Sequence, residues 1–351
     1  MWRECLRVLK PGGHLLSFAG TRTYHRMAVN IEDAGFEIRD MIAWVYGSGF
    51  PKSLNIGKVM DKFLKTGNAS WNGTGDSSNG ALGYSKLQHQ QDYRPDDYSN
   101  RHQNKSEITE EKAKDWEGWG TALKPAHEPI CVARKPLAEK TVAENVLKYG
   151  TGGINVDGGR VETKEDQRRP SRGGDNGLIG TTTFKIRERK IKDQVQHSGR
   201  FPANLIHDGS KEVMAGFPEM KSGTAINRNR GKRIPSTVNY ANHNGIDIGY
   251  ADSGSAARFF YCAKCSRSDR AGSTHPTMKP TSLMRYLCRL VTPPNGIILD
   301  PFGGSGSTGK GAKLEGFNCI IIERETEYCE IAQKRIDGTL VNKKLEFGGE
   351  T

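Results

Sequence analysis

Two carboxylates and a run of glycines carry the clearest chemistry in this sequence. Asp300 opens the stretch DPFGGSGSTGKG, and Glu323 closes the apolar run CIIIE roughly twenty residues later. A glycine-rich turn lets backbone and ligand come close, because no Cβ stands between them. An acid delivered by the following strand is placed to accept hydrogen bonds from the hydroxyls of a ribose. The pattern describes a pocket for a nucleoside-containing cofactor. Glycines at such a turn also occur for packing alone, and that alternative stays open. Residues 304–310 also spell G-x-x-x-x-G-K, but Gly311 stands where a phosphate-binding loop needs a hydroxyl for Mg²⁺. Asp300 would moreover set a negative charge against a triphosphate, whereas it suits a neutral or cationic ligand.

The elements that must position these groups follow from periodicity. Residues 297–299 read as a buried strand, 300–306 as the turn, 307–315 as a helix and 319–322 as a second strand. Upstream, apolar spacing predicts a helix over 2–9, a strand over 14–19, a helix over 21–34 and a strand over 36–46. A short helix to Lys65 and an excursion rich in Gly, Asn, Ser and Gln over 66–105 come next. Further strands are expected at 128–133, 154–161 and 258–263, and further helices at 142–149, 281–291 and 325–336. Pro280, in HPTMKP, sits where a first helical turn tolerates proline. The rhythm is α/β, and it starts without a leading strand.

Bulk properties narrow the classes. The 351 residues carry a net charge of +12, which suits a polyanionic partner such as nucleic acid. The charge concentrates in an irregular region: residues 183–200 hold six Lys or Arg against two acids, with Arg228, Arg230, Lys232 and Arg233 nearby. An insertion of this kind between strands of an α/β core is where phosphate contacts would be built, although charge runs are commonly solvated faces. No apolar run approaches the length that spans a bilayer, and Pro11-Gly12-Gly13 interrupts the first apolar stretch, so no signal peptide is read there. The seven cysteines then point to a reducing cytoplasm. Cys262 and Cys265 form a single C-x-x-C pair without a second pair at ligand spacing, so no metal is expected.

HPTMKP, a helix, ILDPFGGSGSTG and a strand ending in IIIE together resemble the S-adenosylmethionine-dependent DNA methyltransferases that modify exocyclic amines. More narrowly, the order resembles the circularly permuted beta-type subgroup, with target-side motifs first and cofactor motifs near the C-terminus. RECLRVLKPGGHLLSFAG and ALKPAHEPICVARKP are similar to other parts of the same core. The resemblance implies a Rossmann-like, doubly wound α/β sheet with an inserted basic DNA-recognition region. Residues 1–137 would form the target-side half, 138–257 the recognition insertion and 258–351 the cofactor half. Asp300, Phe302, Gly303, Gly304, Ser305 and Gly306 would cradle S-adenosylmethionine, Glu323 would hold its ribose, and His275, Thr277 and Lys279 would close the pocket.

Loops that follow sheet strands reach the substrate in open α/β folds. Residues 21–24, and Phe50, Lys52 and Ser53, are therefore candidates near the target base, and Lys185, Arg187, Arg189 and Lys190 are candidates for DNA phosphates. The family's catalytic motif, an Asp, Asn or Ser followed by Pro-Pro and an aromatic residue, is missing. The sequence's Pro-Pro, at 293–294, is followed by Asn295 rather than an aromatic residue. The resemblance thus implies a bacterial or phage methyltransferase of adenine in duplex DNA, either truncated before its catalytic loop or completed by a separate N-terminal half that bears that loop. An N4-cytosine enzyme and a catalytically inactive DNA-binding remnant are the alternatives.

Overall fold

The computed structural model describes residues 1–47, 49, 53–68, 107–163, 199–221, 253–263, 269 and 278–340. Helix α1 (Trp2–Val8) leads to β1 (His14–Phe18), α2 (Tyr24–Asp33) and β2 (Glu37–Val45). Helices α3 (Ile56–Thr66) and α4 (Glu111–Lys114) precede β3 (His127–Arg134), α5 (Val142–Tyr149) and β4 (Leu205–His207). Then come α6 (Lys211–Gly216), β5 (Glu219–Lys221), β6 (Ser253–Ser255) and β7 (Tyr261–Cys262). The chain continues through α7 (Thr281–Val291), β8 (Ile297–Asp300), α8 (Ser307–Leu314), β9 (Asn318–Ile321) and α9 (Thr326–Asp337). It divides into two compact units, one of residues 1–47, 128–271 and 277–351, the other of 48–127 and 272–276.

In the smaller unit, Asn55 caps α3 by accepting from the Lys58 amide, which satisfies a donor that the helix itself leaves free. Asp61 on α3 accepts from the amides of Thr109 and Glu110 and ion-pairs with Lys65, tying α3 to the start of α4.

The larger unit is built on a five-stranded sheet of order β1-β3-β2-β4-β7, mixed in direction: β1 and β3 are antiparallel, while β2–β4 and β4–β7 are parallel. Strand β3, between β1 and β2, is buried along most of its length, and alternation sends successive side chains to opposite faces. Ile130 and Val132 join Ile42, Trp44 and Ile206 on one face, beneath Leu283, Tyr286, Leu287 and Leu290 of α7. Those four α7 positions repeat at helical spacing, which is why this helix lies flat on the sheet. Cys131 and Ala133 point the other way, into a layer with Leu15, Ile31, Phe36 and the partly buried Trp2, Cys5 and Leu6. Tyr261 of β7 stacks on Tyr286, with centroids 4.0 Å apart. Helices therefore cover both faces, as the α/β expectation required.

Three details differ from expectation. Residues 154–161 form turns with one bridge, Val161 to Arg200, because the Asn155 side chain accepts from the Gly158 amide and Gly158-Gly159 follow. Residues 258–263 are only partly a strand: Ala256–Phe259 is a 3-10 turn, capped when the Ser255 hydroxyl accepts from the Ala257 amide, and β7 is two residues long. The cofactor strands β8 and β9 form their own parallel pair rather than joining the larger sheet among the described residues. Most of the polar excursion and the basic run over 183–198 lie outside the described residues. No helix among the described residues is long and apolar enough to cross a membrane.

Candidate cofactor site

The pairing of β8 with β9 decides where the two acids go. Asp300 lies opposite Ile321, so Glu323 emerges two residues beyond, at the same carboxyl end of two parallel strands. Between them runs the turn 301–306. The Gly303 amide donates to the Ile322 carbonyl at 2.9 Å and the Gly306 amide to the Gly303 carbonyl at 2.8 Å. Asp300 accepts from the Phe302 amide at 3.0 Å and from the Thr308 hydroxyl. Glu323 accepts from the Gly304 amide at 2.6 Å and from the amides of Arg324 and Glu325 at 2.9 and 3.0 Å. Both carboxylates are thus oriented by backbone donors, while Phe302 on the same turn is 65% exposed.

The glycines turn out to serve packing as well as access. A Cβ on Gly303 would lie 2.1 Å from Ile321 Cγ2, and one on Gly306, whose φ is +74°, would lie 2.8 Å from Ala332 Cβ of α9. The turn is pressed against β9 on one side and α9 on another, so two of its glycines are demanded by protein neighbours. Gly304, with φ +50°, supplies the amide that Glu323 accepts.

Burial also silences the nearby thiols. Cys288 on α7 is pushed up to about 12 by burial, with the charges of Cys319, Glu315 and Asp300 adding to it. Cys319 on β9 rises to about 11 through burial and the charge of Asp300. Neither supplies a thiolate near neutral pH.

Lys279 is held by side chains of the larger sheet. Its ammonium ion-pairs with Glu128 of β3 and sits 4.9 Å from the Phe18 ring centroid and 5.3 Å from that of Trp44. Phe18 and Trp44 lie at the carboxyl ends of β1 and β2, the side of an α/β sheet where ligands bind. Tyr46, whose hydroxyl is pushed up by burial and by the charge of Glu128, stands beside Trp44. Of the remaining sequence candidates, Ser53 accepts from the amides of Thr121 and Ala122 at 3.0 and 3.3 Å and so staples its own loop. His275, Thr277, Phe50, Lys52, Lys185, Arg187, Arg189 and Lys190 lie outside the described residues. The Pro-Pro of 293–294 belongs to the turn between α7 and β8, at the amino end of β8, opposite the carboxylates.

A family model described as DNA methylase (N6_N4_Mtase) matches residues 1–334. The chain belongs to that DNA methylase family. Its members use S-adenosylmethionine as methyl donor. Among curated relatives, the chain is 41% identical over 70 residues to the type II methyltransferase M.HinfI of Haemophilus influenzae, covering 20% of this chain and 20% of that protein. It is 42% identical over 82 residues to the type II methyltransferase M2.LlaDCHI of Lactococcus lactis subsp. cremoris, covering 23% of this chain and 29% of that protein. The matches therefore span less than a third of either relative's length. Among solved structures, the M1.HpyAVI–SAM complex aligns over 95% of this chain and 80% of its own, at 16% identity and a TM-score of 0.36.

Sequence reasoning missed three residues that shape the methylase's candidate sites. Glu128 and Asp208 hold the carboxyl edge of the larger sheet, the second by accepting from the Gly47 amide at 3.0 Å and from Ser210. Arg335, on the closing helix, is buried against the cofactor turn. A histidine-aspartate-glycine string and a charged residue near a helix C-terminus carry no period or spacing that would single them out.

Proposed function

We propose that this chain is the cofactor- and DNA-binding part of a methyltransferase that modifies the exocyclic amine of adenine in duplex DNA. The observation that carries the reading is the pair of backbone-oriented carboxylates, Asp300 and Glu323, facing one glycine-rich turn at the carboxyl ends of adjacent parallel strands. The donor set fits S-adenosylmethionine. Asp300 offers a negative charge to its cationic end, Glu323 offers acceptors to its ribose hydroxyls, and the exposed Phe302 ring offers an apolar surface to its base. Bound S-adenosylmethionine supplies an electrophilic methyl group on a sulfonium. Orientation by preformed hydrogen bonds is the chain's contribution, since in-line transfer to a weakly nucleophilic amine depends on position. His275, Thr277 and Lys279 are assigned to the same pocket by motif, and Phe50, Lys52, Lys185, Arg187, Arg189 and Lys190 to DNA, with 138–257 as the recognition region. The target base must leave the duplex stack to be reached.

The catalytic loop is assigned to a further polypeptide segment. The face of the β8–β9 pair that bears Ile297, Leu299 and Ile320 is open, at 66%, 37% and 54% exposure, and Ile322 continues it at 54%. Parallel strands are ordinarily covered on both faces. Among the described residues β8 pairs only with β9, and β1 only with β3. An added strand with its own helix would cover the apolar face and place a loop beside Asp300.

Calorimetric titration with S-adenosylmethionine tests the cofactor site: Asp300→Ala and Glu323→Ala should each weaken binding about tenfold or more, roughly 1.4 kcal/mol. Unchanged affinity in both would remove the reading. Adding a segment that bears the Asp/Asn/Ser-Pro-Pro-aromatic loop should then yield N6-methyladenine in digested DNA. N4-methylcytosine instead would move the target to cytosine, and DNA binding with no methylated product would leave a binding remnant.

A further inference from the structure

The glycine-rich turn rests on α9, and one side chain of that helix grips it from beneath. Gly306 lies against Ala332, and Arg335 follows three residues later on the same helical face. The buried Arg335 guanidinium donates through Nη1 to the Ser305 carbonyl and, at 3.4 Å, to the Ser307 hydroxyl. Through Nη2 it donates to the Asp269 carbonyl at 2.9 Å. Ser305, Ser307 and Asp269 are all buried. The Asp269 carboxylate in turn accepts from the Thr281 amide at 3.4 Å and stands 3.9 Å from the Lys310 ammonium. One planar fork thus joins the middle of the turn, the first residue of α8 and the backbone ahead of α7. A buried cation satisfied mainly by carbonyls is an expensive way to hold a fold together, and apolar replacements of such groups are often equally stable. Its geometry is the asset: five donors in a rigid plane bond in fixed directions, which an ammonium cannot imitate.

We infer that Arg335 is the positioning residue of the cofactor turn, setting where the Ser305 carbonyl and the start of α8 stand relative to Asp300 and Glu323. The inference deepens the cofactor reading above and rests on it for its effect on binding. Arg335 touches the turn, and that reading sets the turn against the cofactor.

The test compares Arg335→Met and Arg335→Lys with Arg289→Met. Arg289 is the control because it is a partly buried arginine of the same half, bonded to Glu315 and to the Gly158 carbonyl, away from the turn. Three quantities are read on the full chain: melting temperature, S-adenosylmethionine affinity well below melting, and hydrogen exchange of the 303–308 amides. Both Arg335 variants should weaken cofactor binding about tenfold and speed exchange across 303–308, and Lys should not restore either. Arg289→Met should lower the melting temperature yet leave affinity and exchange at the turn within about twofold of wild type. Wild-type affinity and wild-type exchange in the Arg335 variants would overturn the inference, as would an equal loss in Arg289→Met. Should Arg335→Met not fold, Arg335→Lys, which keeps the buried charge, carries the same comparison. If the wild-type chain binds no S-adenosylmethionine while exchange at 303–308 still quickens only in the Arg335 variants, the cofactor reading falls and the positioning of the turn stands.

Discussion

The five-stranded sheet and the β8–β9 pair solve the same problem in opposite ways. In the larger sheet, apolar side chains alternate to two faces, each meets a helix layer, and position is set by volume. In the β8–β9 pair one face is covered and the other bears exposed Ile297, Leu299, Ile320 and Ile322. Position there is set by close backbone approach at Gly303 and Gly306, by carboxylates accepting amides, and by the Arg335 fork. A volume-packed region tolerates little loss of side chain, whereas a polar, glycine-packed region tolerates little gain. The contrast teaches that the chemistry sits where packing is least redundant.

Four measurements sharpen or break this contrast. The largest effect is expected from Ile130→Ala, which empties the centre of the larger sheet and should cost about 2–5 kcal/mol in denaturant unfolding. A loss well under 1 kcal/mol would mean that volume is not what positions that sheet. Next, Gly306→Ala adds one methyl at a left-handed residue facing Ala332, and should cost about 1–3 kcal/mol while weakening cofactor binding. The same change at the freely exposed Gly150, also left-handed, should cost less and leave binding alone. Third, Asp300→Asn and Glu323→Gln should each change stability by about 1 kcal/mol or less, while lowering S-adenosylmethionine affinity about tenfold. Equal losses of stability and affinity would make these acids structural instead.

The smallest effect concerns pH. His14 begins β1 beside Arg134 and is held down to about 4 by burial first, then by the charges of Arg134 and Arg39. Its folded value lies below its ordinary 6.5, so the unfolded chain binds more protons between those limits. His14 then contributes no penalty above the ordinary value, and stability falls as pH drops from about 6.5 toward 4, by about 1 kcal/mol after allowance for solvent. Chemical denaturation of His14→Gln across that window should show a flatter slope than wild type; an identical slope would refute the assignment.

Much of this architecture was legible in order along the chain. Periodicity located α5 and α7, the unit β8–α8–β9 and the alternating strands of the larger sheet, because a helix or strand with a buried face must repeat its apolar residues at its own period. The motif spacing around Asp300 and Glu323 placed two carboxylates at one pair of strand ends, since a βαβ unit of this length leaves little choice. Short elements were only partly legible. The three-residue β4 is a strand because β2 offers a neighbour for pairing, and the two-residue β7, all that remains of the strand expected over 258–263, because β4 does. Residues 154–161 carry apolar residues, yet Asn155 and the glycines at 158 and 159 turn the chain, and local hydrogen bonds prevail over propensity there.

The sequence by itself determined that this is an α/β chain of the DNA methylase family, with a glycine-rich turn between two acids and an excess of positive charge. Composition, period and motif spacing are local properties, and they survive without knowing what touches what. Only the tertiary structure decided that Gly303 and Gly306 answer to Ile321 and Ala332, that Lys279 pairs with Glu128, and that Arg335 reaches back to hold Ser305. Those contacts join residues far apart in the chain. Their partners are chosen by the distances and burial that folding creates, which no spacing along a single sequence encodes.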